Sequence, residues 1–334
     1  VIGETSIMEA LLNGLRAVAE PTRLRLLALC ARADLTVSDL TQVLGQSQPR
    51  VSRHLKLMCD AGLLERFREG AWAFYGLARR GAGAGLVRRV LDLLPADDGA
   101  LALDLQRLEQ IKAARAERAA VFFGENAAEW DRIRRMHVDD SQVEAALLDS
   151  FLGRRIDDLL DIGTGTGRLL ELFGPRVTRG LGIDLSREML ALARANLTRL
   201  GFAHCGVRQG DLYQLPLADR QFDAVTIHQV LHYLDDPAAA VREAARVLRP
   251  GGRLVIADFQ RHDLEDLRER YAHRRLGFTT EEVNRWLMAA DLAPSAPVVL
   301  PGRPLTVMLW TGDARATARP PMDRAGQPTV LADA

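Results

Sequence analysis

The 334-residue chain is poor in lysine, in cysteine and in long apolar runs, and its formal net charge is zero. Only Lys56 and Lys112 stand against an abundance of arginine and alanine, a bias that points to a GC-rich coding sequence rather than to a function. The three cysteines, Cys30, Cys59 and Cys205, are odd in number and scattered, so they imply neither a disulfide framework nor a CxxC metal knuckle. A reducing compartment, the cytoplasm, is expected. Nothing approaches the roughly eighteen consecutive apolar residues of a membrane span. The run from Met8 to Ala19 is broken by Asn13 and Arg16 and reads as an amphipathic helix, not a signal peptide. A balanced charge argues neither for nor against nucleic acid, and its distribution has to be read locally. What is present is 48% hydrophobic residues in a chain above the usual single-domain size, enough for two cores and therefore two domains.

One stretch organises the second core. In Leu159-Leu160-Asp161-Ile162-Gly163-Thr164-Gly165-Thr166-Gly167-Arg168-Leu169-Leu170 an apolar run closes on an acid, glycines follow at every second position, and apolar residues resume at helical spacing. This predicts a buried strand turning sharply into a helix, a turn whose glycines let backbone approach a ligand and whose helix start offers N–H groups to an anionic end. A dinucleotide would want G-x-G-x-x-G, and the third glycine position is Arg168. The next strand, Gly180 to Asp184, ends on an acid 21 residues after Gly163, where a carboxylate can accept both hydroxyls of a ribose. Met189, at a helix start, could lie on a flat adenine face or simply fill the core.

These residues resemble motif I and its sequel in the S-adenosylmethionine (SAM) dependent methyltransferases of Rossmann-like fold. The resemblance covers roughly residues 126 to 313 and extends to Val207-Arg208-Gln209-Gly210-Asp211-Leu212, Phe222 to Ile227 and Leu248 to Asp258 as the third, fourth and fifth strands. It implies SAM or S-adenosylhomocysteine (SAH) as ligand, held by Asp161, Gly163, Gly165, Gly167, Asp184, Met189, Asp211 and Leu212, with Asp211 accepting the adenine amino group. A helix from Thr280 and a hairpin of Ser295–Leu300 with Leu305–Trp310 would complete a mixed seven-stranded sheet. His228, His232 and Asp258 are the candidate bases at strand ends, while His232 and Tyr233 could equally pack on the sheet.

In the N-terminal third, Pro21 opens a helix, Thr36 caps a third helix stopped by Gly45, and Ser47 caps a fourth running to Ala61. Two short helices joined by a three-residue turn form a helix-turn-helix, and the strands around Leu63–Arg68 and Trp72–Leu77 add a wing. Between Ser47 and Arg80 seven basic residues face three acidic ones, a local charge of +4 that suits a phosphate backbone. The phrases Leu15 to Leu27 and Ser47 to Lys56 resemble the ArsR/SmtB family of winged-helix regulators. The second helix of such a motif points its N-terminal side chains into the major groove. Gln48, Ser52 and Arg53 are therefore base-edge candidates, with Arg50, Lys56, Arg66 and Arg68 on phosphates. His54 shares the inward stripe with Val51, Leu55 and Met58. Metal-sensing members of the family carry a cysteine pair where this chain has Thr36 and Ser38, which argues against a metal effector.

The sequence thus divides into a winged helix-turn-helix domain (1–80, α+β), a helical linker or dimerisation segment (81–125), an α/β methyltransferase domain (126–313) and a disordered tail (314–334). Gly81 to Gly85 reads as a hinge, and the stripe Leu101, Leu105, Leu108, Ile111 either pairs two subunits or packs on the methyltransferase domain. The expected partners are operator duplex DNA, SAM or SAH, a small-molecule methyl acceptor and a second copy of the chain, with no membrane and no metal. The expected function is a DNA-binding regulator with a fused SAM-binding domain that transfers methyl to a small molecule, senses SAM or SAH, or both. Two alternatives stand beside it: an inactive SAM/SAH sensor-repressor, and a small-molecule methyltransferase that regulates itself. His228-Gln229-Val230-Leu231 replaces the Asn/Asp-Pro-Pro-aromatic motif of enzymes that methylate base amino groups, and Cys205 alone cannot supply several thiolates for arsenite.

Overall fold

The computed structural model describes residues 7–69, 72–78, 82–95, 97–126 and 140–316. Helix α1 (Ile7–Val18) stops before Glu20, whose carboxylate accepts the N–H of Arg23 at 2.9 Å and so caps α2 (Pro21–Cys30). After the short strand β1 (Leu35–Thr36), Thr36 and Asp39 form a reciprocal capping box at the start of α3 (Val37–Leu44), and Gly45 ends that helix with φ 63°. Helix α4 (Gln48–Asp60) follows Ser47, which makes no side-chain cap bond; Pro49 in the first turn removes one of the donors a cap would serve. Strands β2 (Leu64–Glu69) and β3 (Trp72–Leu77) pair antiparallel, and β3 also pairs with β1. Leu26, Leu27, Leu40, Val51, Leu55 and Met58, all fully buried, hold these elements together. Each contributes about 1.5–3 kcal/mol relative to exposure.

Of the glycines expected as a hinge, Gly83 and Gly85 belong instead to α5 (Ala82–Asp92), and Gly81 lies outside the described residues. A Cβ on Gly83 would collide with the carbonyl oxygen of Gly62, so the small residue serves close packing of the helix against the turn that ends α4. Helix α6 (Gly99–Asn126) lies along α2 and α3, buries Leu108, and receives Arg25 Nη2 on Asp104 Oδ1 at 2.6 Å.

The C-terminal half begins with α7 (Asp140–Asp149) and β4 (Asp158–Ile162), followed by α8 (Arg168–Phe173), β5 (Arg179–Asp184), α9 (Arg187–Arg199) and β6 (Cys205–Gln209). Then come β7 (Phe222–His228), α10 (Pro237–Val247), β8 (Leu248–Phe259), α11 (Asp266–Arg270), α12 (Thr280–Ala289), β9 (Leu292–Pro294), β10 (Val298–Leu300) and β11 (Val307–Ala314). The sheet runs β10-β11-β8-β7-β4-β5-β6; β6 to β8 are parallel, β11 and β10 antiparallel, and β9 pairs with the far end of β11. Successive residues of the central strands serve opposite faces: Leu160, Val225 and Leu254 pack on one side, Leu159, Ala224 and Val255 on the other. Helix α6 also packs against α9 and so spans both halves.

The sheet has eight strands where seven were expected. Buried Leu292 anchors the additional short strand, which pairs with residues 312–314, and this also corrects the tail expected from residue 314. Strand β11 continues through Ala314 because Asp313 is held by Arg253 at 2.7 Å and Arg154 at 2.9 Å. The remainder of the expected tail, 317–334, lies outside the described residues.

From β4 the chain lays β5 and β6 on one side, then crosses over to β7 and β8 on the other. The carboxyl ends of β4 and β7 therefore flank a topological switch point, where open α/β sheets bind ligands.

Candidate functional site

At that point Gly163, Gly165 and Gly167 all adopt left-handed conformations, φ 72°, 53° and 85°. Gly163 has a second reason to be glycine, since a Cβ would run into the side chain of Val230; a Cβ on Gly167 would come within 3.1 Å of that of Ala193. The turn is tied to β5: the N–H groups of Gly163 and Thr164 donate to Ile183 O at 2.7 and 3.0 Å, Gly165 N–H donates to Asp184 Oδ2 at 2.8 Å, and Gly167 N–H donates to Thr164 O at 2.9 Å. These four loop donors are satisfied inside the fold. What the glycines supply is room.

Asp184, half-buried, also accepts the N–H of Ser186 at 2.9 Å, and Ser186 Oγ caps α9. Burial pushes its carboxyl above the usual carboxylate range, while the backbone N–H groups of Ser186 and Gly165 pull it back down. Its two oxygens keep lone pairs for further donors. Asp161 is buried and accepts the Thr226 hydroxyl of β7 at 2.8 Å. Asp211, exposed two residues beyond β6, accepts Tyr213 N–H at 2.8 Å. Asp161, Gly163, Gly165, Asp184, Met189, Asp211 and Leu212 all line one cavity of about 990 Å³, within the range of small-molecule sites. Met189 is thus both core and wall, and Gly167 stands behind the loop.

The three candidate bases separate. His228, at the end of β7, lines the cavity. His232 and Asp258 do not: both are buried and face each other, Nδ1 to Oδ1 at 2.7 Å, with the His232 ring against Phe259 and His273. Their position is that of a clamp, since the His232 carbonyl accepts the N–H groups of Arg274 and Arg275, each at 2.8 Å. Tyr233, left open between pocket and sheet, lines the cavity.

Gln229 was not singled out by the sequence. It sits on the cavity wall with φ 54°, its N–H donates to Ala257 O at 2.7 Å, and its buried Nε2 has no hydrogen-bond partner. A non-glycine residue held left-handed beside a cavity is strain kept by its surroundings, a frequent feature of functional sites. Thr164 Oγ1 is likewise buried and unpartnered on the same wall. Thr164 lies within the glycine motif, but no local pattern announces Gln229, whose N–H is held by Ala257 of β8.

On the winged helix, Gln48, Arg50, Arg53 and Lys56 are exposed along α4 and Arg66 and Arg68 are exposed on β2, while Ser52 is half-buried. His54 is half-buried with Nδ1 3.8 Å from Glu20; burial lowers its pKa, as fits an inward position. Among the described residues no group of three or more His, Cys, Asp or Glu is placed to hold a metal ion. Nor is any described helix long and apolar enough to cross a membrane.

Residues 20–66 match the model of the bacterial regulatory proteins of the arsR family, and residues 160–256 match that of the methyltransferase domain. The chain is 36% identical over 100 residues to the methyltransferase YcgJ of Bacillus subtilis (strain 168), covering 30% of this chain and 40% of that one. It is 37% identical over 145 residues to the arsenite methyltransferase of Aquipseudomonas alcaligenes, covering 40% of this chain and 37% of that one. The solved structure of the Bacillus subtilis YcgJ protein superposes at 21% identity and TM-score 0.45, covering 53% of this chain and all of that one. The matched segment spans 40% or less of the length of these curated relatives. The chain joins an arsR-family helix-turn-helix domain to a Rossmann-like methyltransferase domain.

Proposed function

We propose that the chain is a DNA-binding transcriptional regulator whose C-terminal half binds SAM or SAH and transfers methyl to a small molecule. The observation that carries the cofactor reading is the interlock of Gly165 with Asp184 at the switch point, in one cavity with Asp211 and Met189. One further feature fits a nucleoside: the buried, unpartnered Thr164 Oγ1 and Gln229 Nε2 on the wall. Asp184 would accept the ribose hydroxyls, Asp211 the adenine amino group, and Met189 would lie on the adenine face. The bound sulfonium supplies an already activated methyl group. The protein then has to orient the acceptor in line, and His228, the one of the three candidate bases that lines the cavity, can hold a proton leaving it.

Several observations support a small acceptor. His228 to Leu231 replaces the motif used on base amino groups. None of the three cysteines lines the cavity, and Cys205 lies on β6 with its thiol pushed up by burial. Arsenite chemistry by several thiolates therefore lacks its ligands, whatever the name of the Aquipseudomonas relative.

For DNA, the exposed basic residues of α4 and β2 form the phosphate and base-edge set, and recognition of two half-sites calls for a homodimer. A sensing role is favoured by one feature, the contact of the wing with the cavity. Incubating the protein with labelled SAM and candidate acceptors separates the readings: labelled product supports transfer, whereas saturable binding without turnover supports a sensor.

A further inference from the structure

The cavity is not closed by the methyltransferase domain alone. Trp72, the first residue of β3 in the wing, and Lys112 of α6 stand on its wall together with the glycine loop and Asp184. Four arginines of the methyltransferase half hold the wing there. The guanidinium carbon of Arg268 lies 4.4 Å from the centre of the Trp72 ring and that of Arg274 5.3 Å from it. Arg274 and Arg275 lie 5.1 and 5.5 Å from the Phe74 ring, and Arg261 Nη1 donates to Arg68 O at 3.2 Å. Such cation–π contacts strengthen where water is excluded. The strand pairing explains the geometry: Phe67 is opposite Phe74 and turns with Trp72 toward the methyltransferase half, while Arg66 and Arg68, of the other parity, remain exposed.

We infer that Trp72 of the wing and Lys112 of α6 are ligand-contacting residues lent to the cofactor cleft from outside the methyltransferase domain, so that nucleoside occupancy favours the docked wing. This rests on the proposed nucleoside site. Trp72 keeps 38% of its surface exposed, and a ligand that covers more of it makes contacts available only while the wing is docked. A ligand shifts an equilibrium by its differential affinity for the two states.

The test is calorimetric titration of SAH into the full chain for the unmodified protein, W72A, W72F, K112A and D184A. W72A and K112A are expected to weaken SAH at least threefold, and W72F, which keeps a ring against Arg268, should restore part of the loss. SAH binding that is lowered by D184A but unmoved by W72A and K112A overturns the inference and leaves the nucleoside site standing. Absence of SAH binding to the unmodified protein overturns both.

Discussion

Arg274 of the methyltransferase half reaches Asp39 of the helix-turn-helix, Nη2 to Oδ2 at 3.2 Å across 235 residues of sequence, and with its Nε holds Asp235 at 2.8 Å. Asp39 belongs to the capping box that Thr36 opens at the start of α3, and Asp235 lines the cavity. One buried guanidinium thus touches both functional regions.

Substituting Arg274 by methionine leaves two carboxylates facing each other's neighbourhood without their shared cation. Loss of one partner of a buried ion pair costs about 3–5 kcal/mol. The R274M chain is expected to lose stability on that scale in urea unfolding, and its two halves should unfold in two transitions where the unmodified chain is expected to show one. An unchanged midpoint and a single transition would show that the contact contributes nothing to docking.

Gly163→Ala combines a left-handed backbone with a clash against Val230. The expected loss is about 1–3 kcal/mol by thermal unfolding, with SAH binding reduced in parallel. Val230→Ala in the same chain removes the clash but not the backbone strain, so the double variant should recover part of the loss.

The glycine at 163 was readable from sequence because its requirement is local: a strand, a turn and a helix start written in twelve consecutive residues. Asp184 and Asp211 were readable for the same reason, each closing a strand or standing just past one. The helix-turn-helix followed from capping residues at Thr36 and Gly45. The role of Gln229 was not legible, since its conformation and its buried amide arise where β4, β7 and β8 meet. Trp72 is the extreme case. In sequence it is a wing residue, and only the docking of two domains puts it on a ligand cavity. His232 and Asp258 lay at the right strand ends, but burial against Phe259 and His273 turned them into a clamp for the Arg274 segment. Gly83 misled because a small residue serves close packing as readily as bending.

His262, packed against Phe259, has its pKa lowered from 6.5 to about 4, first by burial and then by the nearby charge of His232. A histidine depressed in the folded state stabilises it above pH 6.5, and that contribution is lost as pH falls from 6.5 through about 4. Stability should therefore decline over that window, on the order of 1 kcal/mol for this group after solvent screening. His262→Leu should flatten that part of the pH–stability profile; an unaltered profile would assign the decline to other groups.

On the DNA side, Arg53→Ala is expected to cost about 1–3 kcal/mol on the preferred duplex and to relax discrimination at one base position. Arg66→Ala and Arg68→Ala should instead weaken all duplexes alike and each reduce the slope of log K against log salt by about one. Electrophoretic titrations over a salt series separate the two behaviours.

The most direct test of a nucleoside cleft built on the loop at Gly163 and Asp184 is equilibrium dialysis of labelled SAH against the full chain and its Asp184→Ala variant. The account predicts saturation at one equivalent per chain, displacement by SAM, and at least tenfold weaker binding in the variant, the loss of about 1.5–3 kcal/mol expected for hydrogen bonds to a charged group. Absence of saturable binding, or equal binding by both proteins, would contradict it.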